Sequence, residues 1–233
     1  YHLSSEALAG VSEFSLSKRF QEELFPYQAN AVKVAAHHLH KRGGVIIGDV
    51  VGLGKTITAT ALAKIFEDDF FLETLIICPK NLVHMWEDYA HKYQLRAKVM
   101  SITKAQKKLG SERRFRIVII DESHNLRNRE GKRYRALQEY IQLNDSKVIM
   151  LTATPYNKSY SDLGNQLRLF IDEEENLGIS PERFIESIGG RVQFRAQYQT
   201  GENTIAAFEK STLSDDWNEL MRLFLVRRTR SFI

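Results

Sequence analysis

The stretch Gly48-Asp49-Val50-Val51-Gly52-Leu53-Gly54-Lys55-Thr56 decides the fold of this chain. It follows the apolar run Val45-Ile46-Ile47 and precedes a run of helical character from Thr56 to Phe66. A strand, a glycine-rich loop and a helix in this order form a cradle for phosphate. Glycines let the backbone approach an anion, and the N–H groups at the start of the helix point toward it. The usual pattern has a glycine where this sequence has Asp49.

Two side chains complete the predicted phosphate loop. Lys55 is placed to reach the β- and γ-phosphates of a nucleoside triphosphate, and the hydroxyl of Thr56 is placed to hold Mg²⁺. A chance glycine-rich turn before a helix is the alternative interpretation. The agreement of the flanking strand and helix signals favours nucleoside triphosphate chemistry over that alternative.

Length and composition are those of an ordinary globular protein, with 233 residues, 43% hydrophobic and 27% charged. No apolar run approaches the roughly 20 residues of a membrane span, so no membrane partner is expected. Cys78 is the single cysteine, which predicts a core position and a reducing compartment. The chain has no initiator methionine and no secretory signal, and it ends on Ser231-Phe232-Ile233. We therefore expect a piece of a longer protein.

The net charge of +4 is too small to indicate a nucleic-acid partner by itself. The basic residues are concentrated in three segments, however, and such runs fit either a phosphate backbone or a solvated face. The first segment holds Lys104, Lys107, Lys108, Arg113, Arg114 and Arg116; the second holds Arg127, Arg129, Lys132, Arg133 and Arg135; the third holds Arg227, Arg228 and Arg230.

Short apolar runs alternate with helical runs along most of the chain. The apolar runs are β-branched and apolar on both faces, as expected of parallel strands that helices cover on both sides. This alternation predicts an α/β fold with a mostly parallel sheet. The predicted strands are 45–47, 74–78, 98–102, 117–120 and 148–151, and the predicted helices are 27–40, 56–66, 81–93, 132–143 and 162–170.

The two ends of the chain differ from this pattern. Residues 1–23 have no strong period and are expected to form a loosely docked N-terminal arm, which leaves 24–171 as the nucleotide-binding lobe. Residues 172–216 are polar, with one short helix predicted at 181–188, and are expected to form a helical insert. Residues 217–233 are expected to begin as a helix, whose apolar stripe of Trp217, Leu220, Phe224 and Leu225 packs on the lobe or forms an interface.

Polar residues follow two of the predicted strands directly. Ile117–Ile120 leads into Asp121 and Glu122, which places both carboxylates at the C-terminal edge of the sheet, where open α/β sheets bind ligands. Asp121 can then hold Mg²⁺ through water, and Glu122 can orient and deprotonate an attacking water. The strand ending at Leu151 leads into Thr152, Ala153, Thr154 and Pro155, which either sense the state of the neighbouring acids or form a polar turn.

Three weaker signals are open to simpler explanations. The amide of Gln28 suits the edge of adenine, although a lone glutamine is more often a surface helix residue. His37, His38 and His40 could share a metal, but a solvent-facing helix end is favoured because no acid or cysteine is near in sequence. Trp86 and Tyr89 could stack on bases, but their helical spacing favours core packing.

Taken together, these segments resemble the superfamily 2 nucleic-acid-dependent ATPases, and in particular the Swi/Snf-type DNA translocases. The resemblance begins at Leu24 and continues to the C-terminus. The segments that carry it are Leu24-Phe25-Pro26-Tyr27-Gln28, Gly48-Asp49 with Gly52 to Thr56, Leu75 to Val83 with Trp86, Asp121-Glu122-Ser123-His124, Leu151-Thr152-Ala153-Thr154-Pro155 with Asn157, and Phe224-Leu225-Val226-Arg227-Arg228-Thr229.

The resemblance implies a RecA-like P-loop lobe that uses ATP and Mg²⁺ and acts on duplex DNA through its phosphate backbone. It implies that Lys55, Asp121 and Glu122 are catalytic and that Thr56 and Asp121 serve the metal. It also implies coupling of nucleotide state to DNA through Thr152, Ala153 and Thr154. The implied ATP contacts are Gln28, Asp49, Gly52, Leu53, Gly54, Lys55 and Thr56, and the implied DNA contacts are Lys80, Asn81, Ser101 and Thr103. Ser123 stands where the family often has alanine or glycine.

The resemblance further implies a second RecA-like lobe, which supplies arginine fingers and begins where this chain ends. We therefore expect the chain by itself to bind ATP weakly and to hydrolyse it very slowly. The motor lobe of a restriction system or RNA helicase and a nucleotide-binding module without turnover remain as alternatives. The compact lobe suggests the bacterial cytoplasm, or the nucleus if the protein is eukaryotic.

Overall fold

A computed structural model describes residues 13–48, 54–126, 128–154 and 160–227. Its centre is a parallel sheet of six strands in the order β3-β2-β4-β5-β1-β6. Four of the strands, β1, β2, β4 and β5, consist mainly of valine, isoleucine and leucine and are buried almost throughout, as expected where helices cover both faces. The strands are β1 (Gly44–Ile47), β2 (Thr74–Cys78), β3 (Ala97–Ser101), β4 (Ile117–Asp121), β5 (Lys147–Leu151) and β6 (Leu225–Val226).

Helices connect the strands and extend the chain at both ends. Short 3-10 turns lie at Lys80–Leu82, Leu109–Ser111 and Ser123–Leu126. The α-helices are α1 (Lys18–Glu23), α2 (Pro26–Arg42), α3 (Lys55–Phe70), α4 (Val83–Lys92), α5 (Ile102–Lys108), α6 (Lys132–Asn144), α7 (Ser161–Leu167), α8 (Glu182–Ser187), α9 (Arg191–Tyr198), α10 (Ile205–Phe208) and α11 (Ser214–Phe224). Within the described ranges, none of these helices has the length and apolar character needed to cross a bilayer.

Alternate residues of the central strands enter two separate hydrophobic cores, one on each face of the sheet. On β5, for example, Ile149 belongs to the core that α1 to α4 cover, while Val148 and Met150 belong to the core that α5, α6, α7 and α11 cover. Cys78 is buried in the first core, as predicted, and burial raises the pKa of its thiol to about 12. The predicted α/β class, with helices on both faces of a parallel sheet, is confirmed.

The described part of the N-terminal arm is not loosely docked. Phe14, Leu16 and Phe20 are buried in the same core as α2 and α3. The ring of Phe20 stacks on Tyr93, with centroids 4.5 Å apart. The expectation failed because three apolar residues that are not spaced as one helix face give no periodic signal, although they bury substantial apolar surface.

The C-terminal region also departs from the sequence prediction. Three short helices, α8 to α10, occupy the insert where one was predicted, and Ile185, Phe194 and Ala207 form a small core between them. The following helix ends at Phe224, and β6 pairs with β1 at Ile46 and Ile47. At Leu225 and Val226, backbone pairing with β1 overrides the helical pattern of the sequence. The apolar stripe packs on the lobe, since Trp217, Leu220 and Phe224 lie in its second core.

Candidate nucleotide-binding site

The register of the sheet places the phosphate-loop strand and the acidic strand at one edge. Leu151 of β5 pairs with Ile47 on one side and with Asp121 on the other, so the three residues form a row across the sheet. Two strand spacings separate Ile47 from Asp121, which corresponds to about 10 Å. Because all three strands are parallel, the chain leaves each of them toward the same side. The two motifs that the sequence singled out therefore share the C-terminal edge.

The helix that follows the phosphate loop begins at Lys55, and its N-cap residue, Gly54, has a φ of 79°, which lies in the left-handed region. This helix, α3, has Lys55 and Thr56 in its first turn and no acid there. Its N–H groups and the positive end of its dipole therefore suit a phosphate. Asp49, Gly52 and Leu53 lie outside the described residues.

Gln28 lies against the start of this helix. A methyl group built on Gly54 would lie 2.5 Å from Nε2 of Gln28. Oε1 of the same side chain accepts a hydrogen bond from the backbone N–H of Phe25 at 3.0 Å, which caps α2. The simple explanation, a surface helix residue, is wrong for Gln28, because it is buried and its amide lies against Gly54.

Asp121 ends β4 and is held by two donors from different elements. Its Oδ1 accepts from the backbone N–H of Glu122 at 2.9 Å, and its Oδ2 accepts from Nε1 of Trp86 at 2.9 Å. Each carboxylate oxygen keeps a further lone pair, and Mg²⁺ prefers oxygen ligands. The oxygen donors of Asp121 and Thr56, together with the acid-free start of α3, fit a magnesium–triphosphate pair.

Glu122 has a φ of 54°, which is uncommon for a residue other than glycine. Asn125 stabilises this conformation, because its backbone N–H and its Nδ2 both donate to the Glu122 carbonyl at 3.0 Å. Oε2 of Glu122 lies 3.1 Å from Nδ1 of His124. Backbone strain of this kind is concentrated at functional sites, where surrounding contacts maintain it.

His124 joins the acidic strand to the next one. Its Nδ1 lies 3.1 Å from Glu122 and 3.4 Å from Oγ1 of Thr152, which is fully buried after β5. Oγ1 of Thr152 also accepts from the backbone N–H of Thr154 at 3.1 Å, and Ala153 lies half-buried between them. The structure therefore connects Thr152, the first residue of the expected coupling segment (Thr152 to Thr154), to Glu122 through one imidazole.

The residues expected to contact DNA lie further out along the same edge. Cys78 at the end of β2 pairs with Ser101 at the end of β3, so the segments that follow both strands leave the sheet side by side. Lys80, Asn81 and Thr103 are exposed there. Oγ of Ser101 accepts from the backbone N–H of Lys104 at 3.3 Å and so caps α5.

Comparison with known proteins agrees with this geometry. The sequence profile of the SNF2-related domain matches residues 27–116 and 97–232. The chain belongs to the SNF2-related domain family. It is thus a Swi/Snf-type ATPase lobe of helicase superfamily 2, as the sequence motifs predicted.

Solved structures share the fold of this SNF2-related domain. The Sulfolobus solfataricus SWI2/SNF2 ATPase core in complex with dsDNA has 21% sequence identity and a TM-score of 0.62, covering 89% of this chain and 45% of that chain. The Pyrococcus furiosus Hef helicase domain has 16% identity and a TM-score of 0.56, covering 67% of this chain and 38% of that chain.

Curated relatives with similar sequences come from animals and plants. The SWI/SNF-related matrix-associated actin-dependent regulator of chromatin subfamily A-like protein 1 homolog of Caenorhabditis elegans is 26% identical, over 80% of this chain and 30% of its own length. Switch 2 of Arabidopsis thaliana is 28% identical, over 73% of this chain and 26% of its own length. Mouse DNA annealing helicase and endonuclease ZRANB3 is 25% identical, over 78% of this chain and 18% of its own length. The chain thus spans less than a third of each relative. These relatives give no support for the bacterial origin expected above.

The first basic segment of this SNF2-related domain does not form one surface. Arg113, Arg114 and Arg116 precede β4 and so lie at the opposite edge of the sheet from the nucleotide site. Arg113 pairs with Glu73, Arg114 donates to the carbonyl of Asn144, and Arg116 pairs with Asp145 at 2.9 Å. These three arginines hold secondary-structure elements together, whereas Lys104, Lys107 and Lys108 lie on or beside α5.

Burial and contacts bear on two of the weaker signals in the sequence. His38 is buried, and burial together with Arg42 lowers the pKa of its imidazole to about 4, so a solvent-facing helix end is the wrong description for this residue. The described residues contain no group of three or more potential metal ligands. Trp86 packs in the core, as its helical spacing favoured. Its hydrogen bond to Asp121 was not predicted from the sequence, and neither were the contacts of His124 with Glu122 and Thr152.

Proposed function

We propose that this chain is the ATP-binding N-terminal motor lobe of a DNA-dependent ATPase that translocates along duplex DNA. The observation that carries the proposal is the row formed by Ile47, Leu151 and Asp121, which brings the phosphate loop and the acidic strand to one edge of the sheet. Membership of the SNF2-related domain family supports the same conclusion.

In this proposal the ATP lies across the start of α3. Gln28 reads the adenine edge, and the phosphate loop with Lys55 binds the phosphates. Thr56 and Asp121 hold Mg²⁺, which neutralises charge on the phosphates when it is bound. Glu122 orients the attacking water and accepts its proton at a carboxylate oxygen.

The coupling segment transmits the state of the nucleotide to the DNA. His124 contacts both Glu122 and Thr152, so a change at the acid alters the segment that follows β5. Lys80, Asn81, Ser101 and Thr103 contact the DNA backbone. Contacts of this kind carry little sequence information and weaken steeply with salt. The structure of a SWI2/SNF2 ATPase core was solved in complex with dsDNA, which supports duplex DNA as the partner.

Phosphate release by the full-length protein tests the proposal. We expect duplex DNA to stimulate release and single-stranded RNA to have little effect, and we expect Lys55→Ala to abolish the stimulated rate. Preferential stimulation by RNA would instead favour an RNA helicase. Binding of ATP without phosphate release, with DNA or RNA, would favour a nucleotide-binding module without turnover.

A further inference from the structure

Trp86 is hydrogen-bonded to the acidic strand, although it belongs to neither the phosphate loop nor that strand. It lies on α4, is fully buried, and donates from Nε1 to Oδ2 of Asp121 at 2.9 Å. The backbone N–H of Glu122 occupies the other oxygen of the same carboxylate. Two donors in fixed positions determine the rotation of the carboxylate plane, and one of these donors is a side chain.

The indole of Trp86 packs at the end of a row of aromatic rings. Tyr89 lies 6.5 Å from Trp86 and 6.0 Å from Tyr93 between ring centroids, and Phe20 of α1 stacks on Tyr93. Glu23 accepts hydrogen bonds from Lys92 and Tyr93 and so fixes the end of α4. A donor on such a well-packed helix is preorganised, as partners of metal-binding carboxylates generally are.

The second tryptophan of the chain shows that a buried indole does not require a carboxylate. Trp217 is also buried, and its Nε1 donates to the backbone carbonyl of Ser211 at 2.8 Å. The hydrogen bond from Trp86 is made to a charged group instead, and such bonds are stronger than neutral ones.

We propose that Trp86 is a positioning residue for Mg²⁺. Its indole N–H directs the carboxylate of Asp121 so that the remaining lone pairs face the metal. This inference rests on the proposed function, because it assumes that Asp121 serves Mg²⁺. Loss of a hydrogen bond to a metal-binding group commonly weakens metal binding by about 10–100-fold.

The test compares Trp86→Phe with Trp217→Phe, which removes the same atoms from an equally buried site. Binding of a fluorescent ATP analogue by this chain is measured as Mg²⁺ is increased. We expect Trp86→Phe to raise the half-saturating Mg²⁺ concentration about tenfold and to leave metal-free nucleotide binding unchanged. We expect Trp217→Phe to shift it by less than twofold. Equal Mg²⁺ dependence in the two variants would overturn the inference while leaving the proposed function intact.

A spectroscopic measurement keeps the inference testable if Trp86→Phe does not fold. The chain has two tryptophans, so Trp217→Phe leaves Trp86 as the single indole. We expect Mg²⁺ with ATP to shift the ¹H–¹⁵N resonance of its indole N–H, and Mg²⁺ with AMP to shift it much less. An unshifted resonance at saturating Mg²⁺ and ATP would overturn the inference. Failure of the wild-type chain to bind ATP at all would overturn the proposed function and this inference together.

Discussion

At Gly54, the backbone conformation and the packing of a neighbouring side chain both require a glycine. Its φ of 79° is easily adopted by glycine and costs other residues about 1–2 kcal/mol. The space where a side chain would begin is already filled by the amide of Gln28. A larger residue at this position would therefore strain the backbone and displace the group proposed to read adenine.

Gly54→Ala is expected to weaken binding of an ATP analogue at least tenfold and to lower thermal stability. Gly110→Ala is the matched control, because Gly110 has no positive φ and a methyl group there would meet nothing within 4 Å. Fluorescence titration and thermal unfolding of both variants give the comparison. Equal nucleotide affinity in the two variants would contradict the proposal that Gln28, beside Gly54, contacts the nucleotide.

Glu122→Gln separates binding from hydrolysis. We expect the full-length variant to bind ATP as the wild type does, because in the proposed arrangement Glu122 acts on the attacking water and does not hold the phosphates. Its DNA-stimulated phosphate release should fall by about 10²–10⁴-fold, since a general base is removed. Glu130→Gln changes an exposed acid in the next turn and should leave the rate unchanged. A loss of less than tenfold in Glu122→Gln would rule out the carboxylate as the base.

At the scale of elements, α1 is fastened to α4 by a cluster of charges. Glu23 accepts hydrogen bonds from Lys92 at 2.7 Å, from Tyr93 at 2.6 Å and from Arg19 at 3.1 Å. Hydrogen bonds from Lys92 and Tyr93 lower the pKa of the Glu23 carboxyl from 4.5 to about 2. The ionised form is therefore favoured in the folded protein.

This cluster predicts an acid-dependent contribution to stability. Because the pKa of Glu23 is lower in the folded state, its contribution is complete above about pH 4.5 and is lost as the pH falls toward about 2. Glu23→Gln should lower the melting temperature by about 2–4 °C at pH 7, and the difference should shrink below pH 4.5. Glu22→Gln is the control on the exposed neighbour. A difference that does not change between pH 7 and 3 would contradict the assignment.

The start of α8 depends on an acid from α11. The buried carboxylate of Asp216 accepts from the backbone N–H groups of Arg183 at 3.0 Å and Phe184 at 3.1 Å, and from the hydroxyl of Ser211 at 2.6 Å. The cap is therefore supplied by tertiary structure, because α8 is preceded by Pro181 and has no capping side chain of its own.

Asp216→Ala should cost about 1–3 kcal/mol, because it leaves buried donors without an acceptor. Asp215→Ala removes the neighbouring exposed acid from the same turn and should change stability by less than about 0.5 kcal/mol. Denaturant unfolding of both variants measures the difference. Hydrogen exchange should also accelerate in α8 of Asp216→Ala, and uniform exchange across the chain would argue against a local capping function.

The strands and helices could be predicted wherever they depend on residues that are close together in the sequence. Each central strand is a buried apolar run. Asp121 ends β4 and Glu122 follows it directly, so the shared edge follows from parallel pairing. Contacts between residues that are far apart in the sequence could not be predicted in this way. Trp86 and Asp121 meet only because α4 packs on the sheet, and helical spacing predicts burial without naming the acceptor. Leu225 continues an apolar stripe, and only its pairing with Ile46 makes it part of a strand.

At the scale of the whole molecule, the family resemblance implies a second RecA-like lobe beside the one that the structure describes. Arginine fingers of the kind that a second lobe supplies contribute about 10³–10⁵ to the rate of phosphoryl transfer. We therefore propose that arginines of that second lobe add to the charges that stabilise the transition state.

The chain alone is expected to hydrolyse ATP about 10³–10⁵-fold more slowly than the full-length protein with duplex DNA. Phosphate release measured for both at the same Mg²⁺ and ATP concentrations tests this expectation. ATP binding by the isolated chain, followed in parallel, verifies that it is folded. Turnover within tenfold of the full-length rate would show that no second lobe is needed.

The position of β1 in the sheet affects how the protein is made. Val45 pairs with Ile149 of β5, and Ile46 pairs with Leu225 of β6, so β1 leaves the ribosome long before either neighbour. A nascent chain carries this apolar strand without partners until β5 has been translated, and such segments attract chaperones and aggregate. The strand β1 is thus translated before either strand that it pairs with, and it can enter the sheet only after β5 has emerged.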